Sequence, residues 1–164
     1  MSAVVKFGTS KIGTEVKGES KLKDHEQWCD VLFLSHGMDC PRQLGSGQAT
    51  GRRNYEPLKI TKPVDSASVL LWQVAFRNDF FPKVEIHLLR SRDAAKEVFF
   101  QINLTHAVVN FHRITASTDK DNQPEEEIGL SYESIEMIYL SAGLGGDQTA
   151  NVSAIDEFFK GGSE

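Results

Sequence analysis

The sequence of 164 residues has no apolar run that approaches the roughly 18 residues of a helical membrane span. Its first residues, Met1 to Gly8, show no basic stretch followed by an apolar segment, the pattern of a Sec signal. Two cysteines, Cys29 and Cys40, are too few for a disulfide framework. We therefore expect a protein made soluble in the cytoplasm without membrane insertion. If it leaves the cell, it does so by a route that reads no such signal.

Positive charge is also in deficit. The 18 lysines and arginines are outnumbered by 23 acidic residues, which gives a net charge of −5. Arg42, Arg52 and Arg53 form a small basic cluster, but the acidic remainder argues against a general nucleic-acid partner. The apolar and charged fractions, 40% and 25%, are near the globular average, and the length fits one domain.

Patterns that carry chemistry are missing as well. None of the five histidines stands in a metal-binding spacing, and neither cysteine has a C-x-x-C partner. The glycine-rich stretch Gly45 to Arg53 lacks the order of a phosphate-binding loop. The acidic stretch Asp119 to Glu127 lacks the EF-hand order and, with Pro124, predicts a solvated hairpin loop. We expect no enzyme activity, no metal and no cofactor, and histidines at the surface or lining a channel.

Alternation of apolar and polar residues predicts several β-strands. They cover Lys6–Lys17, Gln27–His36, Tyr55–Pro63, Lys83–Arg90, Glu97–Ile114 and Ile128–Leu140. Gly8 and Gly13 interrupt the first of them, and the fifth is one long strand or a pair of strands. The second is apolar on both faces from Val31 to Leu34, which predicts cover on both sides. In the fifth, the apolar parity changes near Thr105 and His106, which predicts a bulge there.

One segment, Asp65 to Phe76, predicts a helix that Asp65 or Ser66 can cap. Its apolar residues form two stripes, one of Ala67, Leu70, Leu71 and Val74 and another of Val69, Trp72 and Phe76. A helix that is apolar around most of its circumference is covered around most of it, which indicates a neighbouring subunit. The fold class predicted is mainly β, a small antiparallel β-barrel or two-sheet sandwich with one flanking α-helix.

The segment from Gly37 to Arg53 has no periodicity and predicts a long loop, of the kind that is usually functional or disordered.

Several motifs, in this order and spacing, are similar to those of the haemolysin-coregulated protein (Hcp) family. They are Val16-Lys17-Gly18-Glu19-Ser20, His25, Asp30-Val31-Leu32, Ser35-His36-Gly37-Met38 and the helix entry Lys62-Pro63-Val64-Asp65-Ser66-Ala67. The strands Lys83 to Arg90 and Ile128 to Glu136 also resemble strands of the family, so the similarity extends from about Val4 to Tyr139.

The resemblance implies the inner-tube protein of type VI secretion systems. Such a protein assembles into rings, expected to be hexameric, which stack into a tube and carry or chaperone effectors, and it is itself secreted from the bacterial cytoplasm. The implied partners are further copies of the chain, effectors, and spike and sheath components. Two alternatives stay open: a contractile phage-like tail-tube protein, or a barrel that acts as an adaptor or chaperone without assembling.

The resemblance also implies roles for particular residues. The long loop is expected to contact an adjacent subunit or the next ring, through Met38, Pro41, Arg42, Gln43, Leu44, Gln48, Arg52 and Arg53. Ser35 is a candidate lumen residue that contacts effectors. By strand alternation Ser35 shares a face with Val31 and Phe33, and the alternative is an ordinary sheet residue near a turn.

The chain beyond Leu140 departs from the family pattern. We expect a barrel domain over residues 1–140, and a flexible Gly-rich linker with a short tail over residues 141–164. Ile155, Phe158 and Phe159 stand at i, i+3 and i+4, which predicts a short amphipathic helix. Docking of this helix on its own or a neighbouring barrel is one hypothesis, and a frayed tail is the other.

Overall fold

The computed structural model describes residues 1–92, 95–119, 122–142 and 148–157. These residues form strands β1 (Ser2–Lys6), β2 (Gly8–Thr9), β3 (Glu15–Val16), β4 (Cys29–Val31), β5 (Phe33–Ser35), β6 (Met38–Asp39), β7 (Asn54–Tyr55) and β8 (Leu58–Pro63). Helix α1 (Ser66–Phe76) follows, and then β9 (Phe80–Arg92), β10 (Ala95–Thr115), β11 (Glu125–Ser131), β12 (Ser134–Ala142) and β13 (Gln148–Glu157). No helix within these residues is long and apolar enough to cross a membrane.

The main sheet closes on itself. Its order is β4-β1-β9-β10-β11-β8-β5, with antiparallel neighbours throughout. The two end strands are one stretch of chain that is broken only at Leu32, whose backbone N–H donates to the Thr61 carbonyl at 2.8 Å. The first half of this stretch pairs with β1 and the second with β8, so six strand positions complete a barrel. The predicted antiparallel β-barrel with one helix is confirmed.

Strand β10 is long enough to pair with two partners on one side. Its first part pairs with β12 up to Thr105, and its second part pairs with β11 from Val108 onward. Between them His106 has a φ of 51°, and the apolar parity changes there. The bulge predicted near Thr105 and His106 is wrong, because the register with β9 continues across His106. The register shifts of β10 lie at Val98/Phe100 and Val109/Phe111.

The second shift depends on a glycine. Gly129 pairs with Phe111, next to the extra residue Asn110. A Cβ atom on Gly129 would lie 2.2 Å from Cε1 of Phe111 and 2.3 Å from Oδ1 of Asn110. Only a residue without a side chain allows this close approach.

The barrel interior and one face of α1 form a single hydrophobic core. Leu58 and Ile60 of β8 are fully buried, as their shared parity predicts. Ala67, Leu71 and Val74 of α1 are fully buried against the same core. The helix begins at Asp65, whose side chain accepts from the Ala67 backbone N–H at 2.9 Å. The predicted bounds and cap of the helix are therefore confirmed.

A buried ion pair ties the helix start to the barrel. The side chains of Lys62 on β8 and Glu126 on β11 are both fully buried, and Lys62 Nζ donates to the carboxylate of Glu126. Lys62 Nζ also donates to Asp65 Oδ1 at 2.7 Å, while Ser68 Oγ donates to Glu126 Oε1 at 2.7 Å. His112 Nε2 lies 2.5 Å from the second oxygen of Glu126. Every polar atom of the pair therefore has a partner.

The prediction of a solvated loop over Asp119 to Glu127 is wrong at its end. β11 begins at Glu125, and alternation turns Glu126 into the barrel with Ile128 and Leu130. Burial alone would raise the pKa of Glu126, but hydrogen bonds from His112, Lys62 and Ser68 outweigh it and lower that pKa. Burial likewise acts to lower the pKa of Lys62, and bonds to Asp65 and Glu126 raise it overall.

A cluster of two histidines and a tryptophan packs on the outside of the barrel, next to β1 and β9. His25 Nε2 lies 2.8 Å from Nδ1 of His87, and the Trp28 ring packs on both imidazoles. Burial, and then the charge of His25, lower the pKa of His87 to about 4. Gly18 allows its own backbone to approach that of Trp28, because a Cβ atom on Gly18 would lie 2.4 Å from the Trp28 carbonyl oxygen. The contact is thus one of packing, in which His87 stays neutral near pH 7.

The predicted C-terminal helix is wrong for the part that the structure describes. β13 pairs antiparallel with β12 over nine registered pairs, and Ile155 lies opposite Glu136 in this ladder. The spacing of Ile155 with Phe158 and Phe159 fits a helix, but pairing with the exposed edge of β12 takes precedence. Phe158 and Phe159 lie outside the described residues. Strand β12 also extends past the predicted domain boundary at residue 140, to Ala142.

We predict that Glu126→Gln lowers the free energy of unfolding by about 3 kcal/mol, because it leaves a buried ammonium without its closest charge partner. Chemical denaturation at pH 7 measures this loss. The exposed neighbour supplies the control, since Glu125→Gln should change the value by less than about 0.5 kcal/mol.

The same pair sets a pH dependence. The pKa of Glu126 is lowered on folding, so its contribution is present above the ordinary pKa of a glutamate and is lost as pH falls through the folded value. Glu126→Gln should therefore flatten the acid limb of the stability curve. Equal stability of Glu126→Gln and Glu125→Gln would show that the ion pair does not stabilise the fold. An unchanged acid limb in Glu126→Gln would show that the pair does not set the pH dependence.

Candidate functional site: the exposed surfaces of the barrel

The segment between β5 and β8 forms a hairpin that we call the arm, residues 37–56. β6 and β7 pair with each other at its base, in the register Met38 to Tyr55 and Asp39 to Asn54. A bridge between Arg42 and Ala49 continues the hairpin toward its tip. The prediction of an unpatterned loop is thus corrected: the segment is a two-stranded projection.

The tip of the arm is held by its own backbone. The N–H of Gln43 donates to the Gln48 carbonyl at 2.8 Å, and the N–H of Gly47 donates to the Gln43 carbonyl at 3.0 Å. Gly45 and Gly47 have φ values of 93° and 69°, which glycine adopts without strain. Leu44, at the tip, is 100% exposed. The tip thus has a hydrogen-bonded conformation and leaves the Leu44 side chain open to solvent.

All eight residues predicted as interface lie on this arm. Seven of them are exposed, and Pro41 is half-buried. Arg42 Nη1 donates to the Gly47 carbonyl at 3.0 Å, so it stabilises the tip as well. The role of these residues in contacts between subunits stays a prediction.

A second apolar surface lies on the outer side of α1. Val69, Trp72 and Phe76 are 68%, 57% and 58% exposed. The rings of Trp72 and Phe76 pack edge to face with centroids 5.1 Å apart, so they form one patch. We call these three residues the helix stripe. The stripe predicted from the sequence is therefore on the surface of the single chain, where an isolated soluble barrel gains nothing from it.

Ser35 ends β5, opposite Lys59, and is half-buried. It shares a face with Phe33, which is 62% exposed, but not with Val31. Val31 and Leu34 both pack against the core, because the break at Leu32 changes the alternation. The expected common face of Ser35, Val31 and Phe33 is thus corrected, and Ser35 points outward beside Phe33.

The base of the arm contacts the barrel through polar and aromatic side chains. Arg53 and Tyr55 both donate to the carboxylate of Asp156 on β13. His36 Nε2 lies 2.5 Å from the Tyr132 hydroxyl, and its ring packs against those of Tyr55 and Tyr132. Hydrogen bonds from Arg53 and Tyr55 lower the pKa of Asp156. Burial lowers the pKa of His36 and raises that of Tyr132.

Apart from Arg53, no residue of this cluster is predicted as a site residue from the sequence. The partners are separated by 96 to 103 positions, so no local pattern brings them together. A groove of ≈ 340 Å³ lies beside the cluster, between the arm and the β12–β13 hairpin. Its apolar lining comes from Met38, Ile135, Met137, Ala154 and Ile155.

The described ranges contain no group of three or more His, Cys, Asp or Glu placed to hold a metal ion. Of the two cysteines, Cys29 is buried and Cys40 is exposed, and both are free. Burial raises the pKa of the Cys29 thiol to about 12, which makes it a poor nucleophile.

The fold and its surfaces define a class: small closed antiparallel β-barrels with one packed helix and a projecting hairpin. Within that class, the family model described as "Type VI secretion system effector, Hcp" matches residues 9–139. The chain belongs to the Hcp family, so the resemblance read from the sequence is confirmed.

Individual relatives agree with this assignment. The "Major exported protein" of Pseudomonas aeruginosa is 33% identical over 93 residues, which are 56% of this chain and 54% of that protein. The match thus spans about half the length of this curated relative. A crystal structure titled as that of an Hcp protein superposes with a TM-score of 0.81 at 19% identity, covering 96% of this chain and 99% of that one. The secreted protein Hcp3 of P. aeruginosa gives 0.71 at 21% identity, covering 96% and 97%. Both structures support the fold.

We predict that Trp72→Glu weakens self-association by at least about tenfold, since buried tryptophans at interfaces are frequent hot spots. The barrel should stay folded, because Trp72 is exposed in the single chain. Light scattering across a concentration series measures association, and circular dichroism checks the fold. Ser91→Glu places the same charge on an exposed residue of β9, away from the helix stripe, and should associate nearly as the native chain does. Equal association of Trp72→Glu and the native chain would rule out the helix stripe as an interface.

Proposed function

We propose that this protein is a tube subunit of a type VI secretion machine, which forms rings that stack and carry effectors. The observation that carries the proposal is the helix stripe, an apolar patch left uncovered on a complete barrel of the Hcp family. A patch of this kind is covered by association. The role is structural, without enzyme activity.

The proposed ring forms by head-to-tail contacts. A heterologous contact between two different surfaces closes into a ring when the rotation between copies allows it. The helix stripe and the arm are two such different surfaces, on separate parts of the molecule. A ring of six follows from the family resemblance. Spike and sheath components are the other proposed partners.

Export is part of the proposal. The relative from P. aeruginosa bears the name "Major exported protein", which supports secretion of this chain as well. We propose that the protein is made in the bacterial cytoplasm and is secreted when the machine fires, without a Sec signal. Detection of the native chain in the culture medium only when the secretion machine is intact tests this, and equal release without the machine would overturn it.

The arm supplies a test of assembly. Deletion of Gln43 to Gly51 should leave the barrel folded, because shortening a loop changes its closure entropy little. It should weaken ring formation or stacking, because it removes the exposed tip with Leu44. Negative-stain microscopy and light scattering measure both levels of assembly. Rings and stacks like those of the native chain would show that the arm is no interface, and a native chain that stays monomeric at high concentration would overturn the ring itself.

Ser35 supplies a separate test of cargo. We propose that it lies on the lumen path, supported by its outward direction at the end of β5. Ser35→Trp should then spare ring formation but reduce effector retention by about tenfold, as a bulky side chain fills the contact. Co-purification of an effector with the ring measures retention. Normal retention in Ser35→Trp would place Ser35 away from the lumen contact, and Thr9→Trp on the exposed short strand β2 is the control.

A further inference from the structure

Within the part of the chain that the structure describes, the arm makes no backbone pairing with the barrel. β6 and β7 form a two-stranded sheet of their own, separate from the main sheet. At the point where the arm leaves the barrel, the Glu56 N–H donates to the Gly37 carbonyl at 2.9 Å, which again joins the arm to itself. A hairpin attached by two chain crossings alone would swing about them. Side chains therefore have to fix its direction.

One carboxylate makes such a contact. Asp156 accepts two parallel hydrogen bonds from the guanidinium of Arg53, through Nε and Nη2, and a third from the Tyr55 hydroxyl. Paired bonds of this type fix both distance and angle, because the guanidinium and the carboxylate are planar. Arg53 directly precedes β7 and Tyr55 lies within it. The contact thus holds one whole strand of the arm.

The carboxylate is itself fixed to the barrel. Asp156 lies opposite Ile135 in the ladder between β13 and β12, and β12 pairs with β10 of the main sheet. On the other side of Tyr55, His36 and Tyr132 are joined at 2.5 Å. The arm base is therefore held from two sides, by an aromatic contact and by Asp156. The groove of ≈ 340 Å³ lies between the arm and the β12–β13 hairpin. It leaves space for the arm to move toward that hairpin.

The structure assigns Asp156 as the residue that positions the arm, so that the C-terminal strand takes part in assembly by directing a surface far from it in sequence. The importance of the arm's direction for assembly rests on the proposed function. The assignment of the contact itself does not. A consequence is that the last strand is required for assembly even where no neighbouring subunit touches it.

The direct test measures arm direction in the full chain. Leu44→Cys at the tip and Glu125→Cys at the start of β11 provide two exposed sites for spin labels, with Cys40→Ser to remove the exposed native thiol. Pulsed spin-resonance spectroscopy then gives the distance distribution between tip and barrel. The Trp72→Glu background keeps the chain dispersed. We expect a narrow distribution in this chain and a distribution at least about twice as broad when Asp156→Asn is added, because the amide cannot accept both guanidinium bonds.

Two further variants make the result specific. Asp30→Asn makes the same chemical change on the exposed residue of β4 and should leave the distribution narrow. The exchange Arg53→Asp with Asp156→Arg restores the charge pair and should narrow the distribution again. A distribution that stays narrow in Asp156→Asn would overturn the assignment.

Assembly is the second readout. In the unlabelled chain, Asp156→Asn should weaken assembly toward the level of the Gln43–Gly51 deletion, while the fold stays intact. The results distinguish a failure of the proposed function from a failure of the positioning role of Asp156. A native chain that stays monomeric, with a broadened distribution in Asp156→Asn, would overturn the proposed function and leave the positioning role standing. A native chain that forms rings, together with an Asp156→Asn variant that assembles equally and keeps a narrow distribution, would overturn the positioning role alone.

Discussion

The buried pair of Lys62 and Glu126 is the constraint on which the exposed surfaces depend. A charge taken out of water is costly unless a partner and hydrogen bonds satisfy it, so this pair fits only one arrangement of β8, β11 and the start of α1. Lys62 reaches the helix cap at Asp65, and Glu126 reaches Ser68 one turn later. With its first turn fixed in this way, the helix presents Leu71 inward and Trp72 outward.

Much of this fold could be predicted because burial repeats locally along the chain. Leu58 and Ile60 show their direction within a few residues, and Asp65 shows where the helix begins. The sequence predicts Glu126 in solvent, because it stands among three glutamates after a proline. A signal was nevertheless present, since it has the same parity as Ile128 and Leu130. Its partner lies 64 positions away, so the identity of the cation could not be predicted.

The secondary structure of the last strand, β13, was not predictable for a different reason. Ile155 with the two phenylalanines that follow satisfies helical spacing, and a short segment can satisfy more than one periodicity. What decides between them is the neighbour: β12 presents an edge, and β13 covers it along nearly its whole length. Such pairing depends on tertiary contacts that a single sequence does not display. The hairpin of the arm could not be predicted either, because the sequence around the bridge between Arg42 and Ala49 shows no alternation of apolar and polar residues.

A closed barrel has few edges, so a protein of this fold must associate through what it adds to the barrel. The helix adds an apolar stripe whose direction the buried ion pair fixes. The arm adds a projection that no backbone ladder joins to the barrel among the described residues. The contact of Arg53 with Asp156 fixes the direction of the arm, as the contact of Lys62 with Glu126 fixes that of the helix. The two ion pairs differ in burial: one is sealed in the core, while the other lies at the surface and is open to salt and pH. The stripe should therefore be a permanent surface, and the arm the adjustable one.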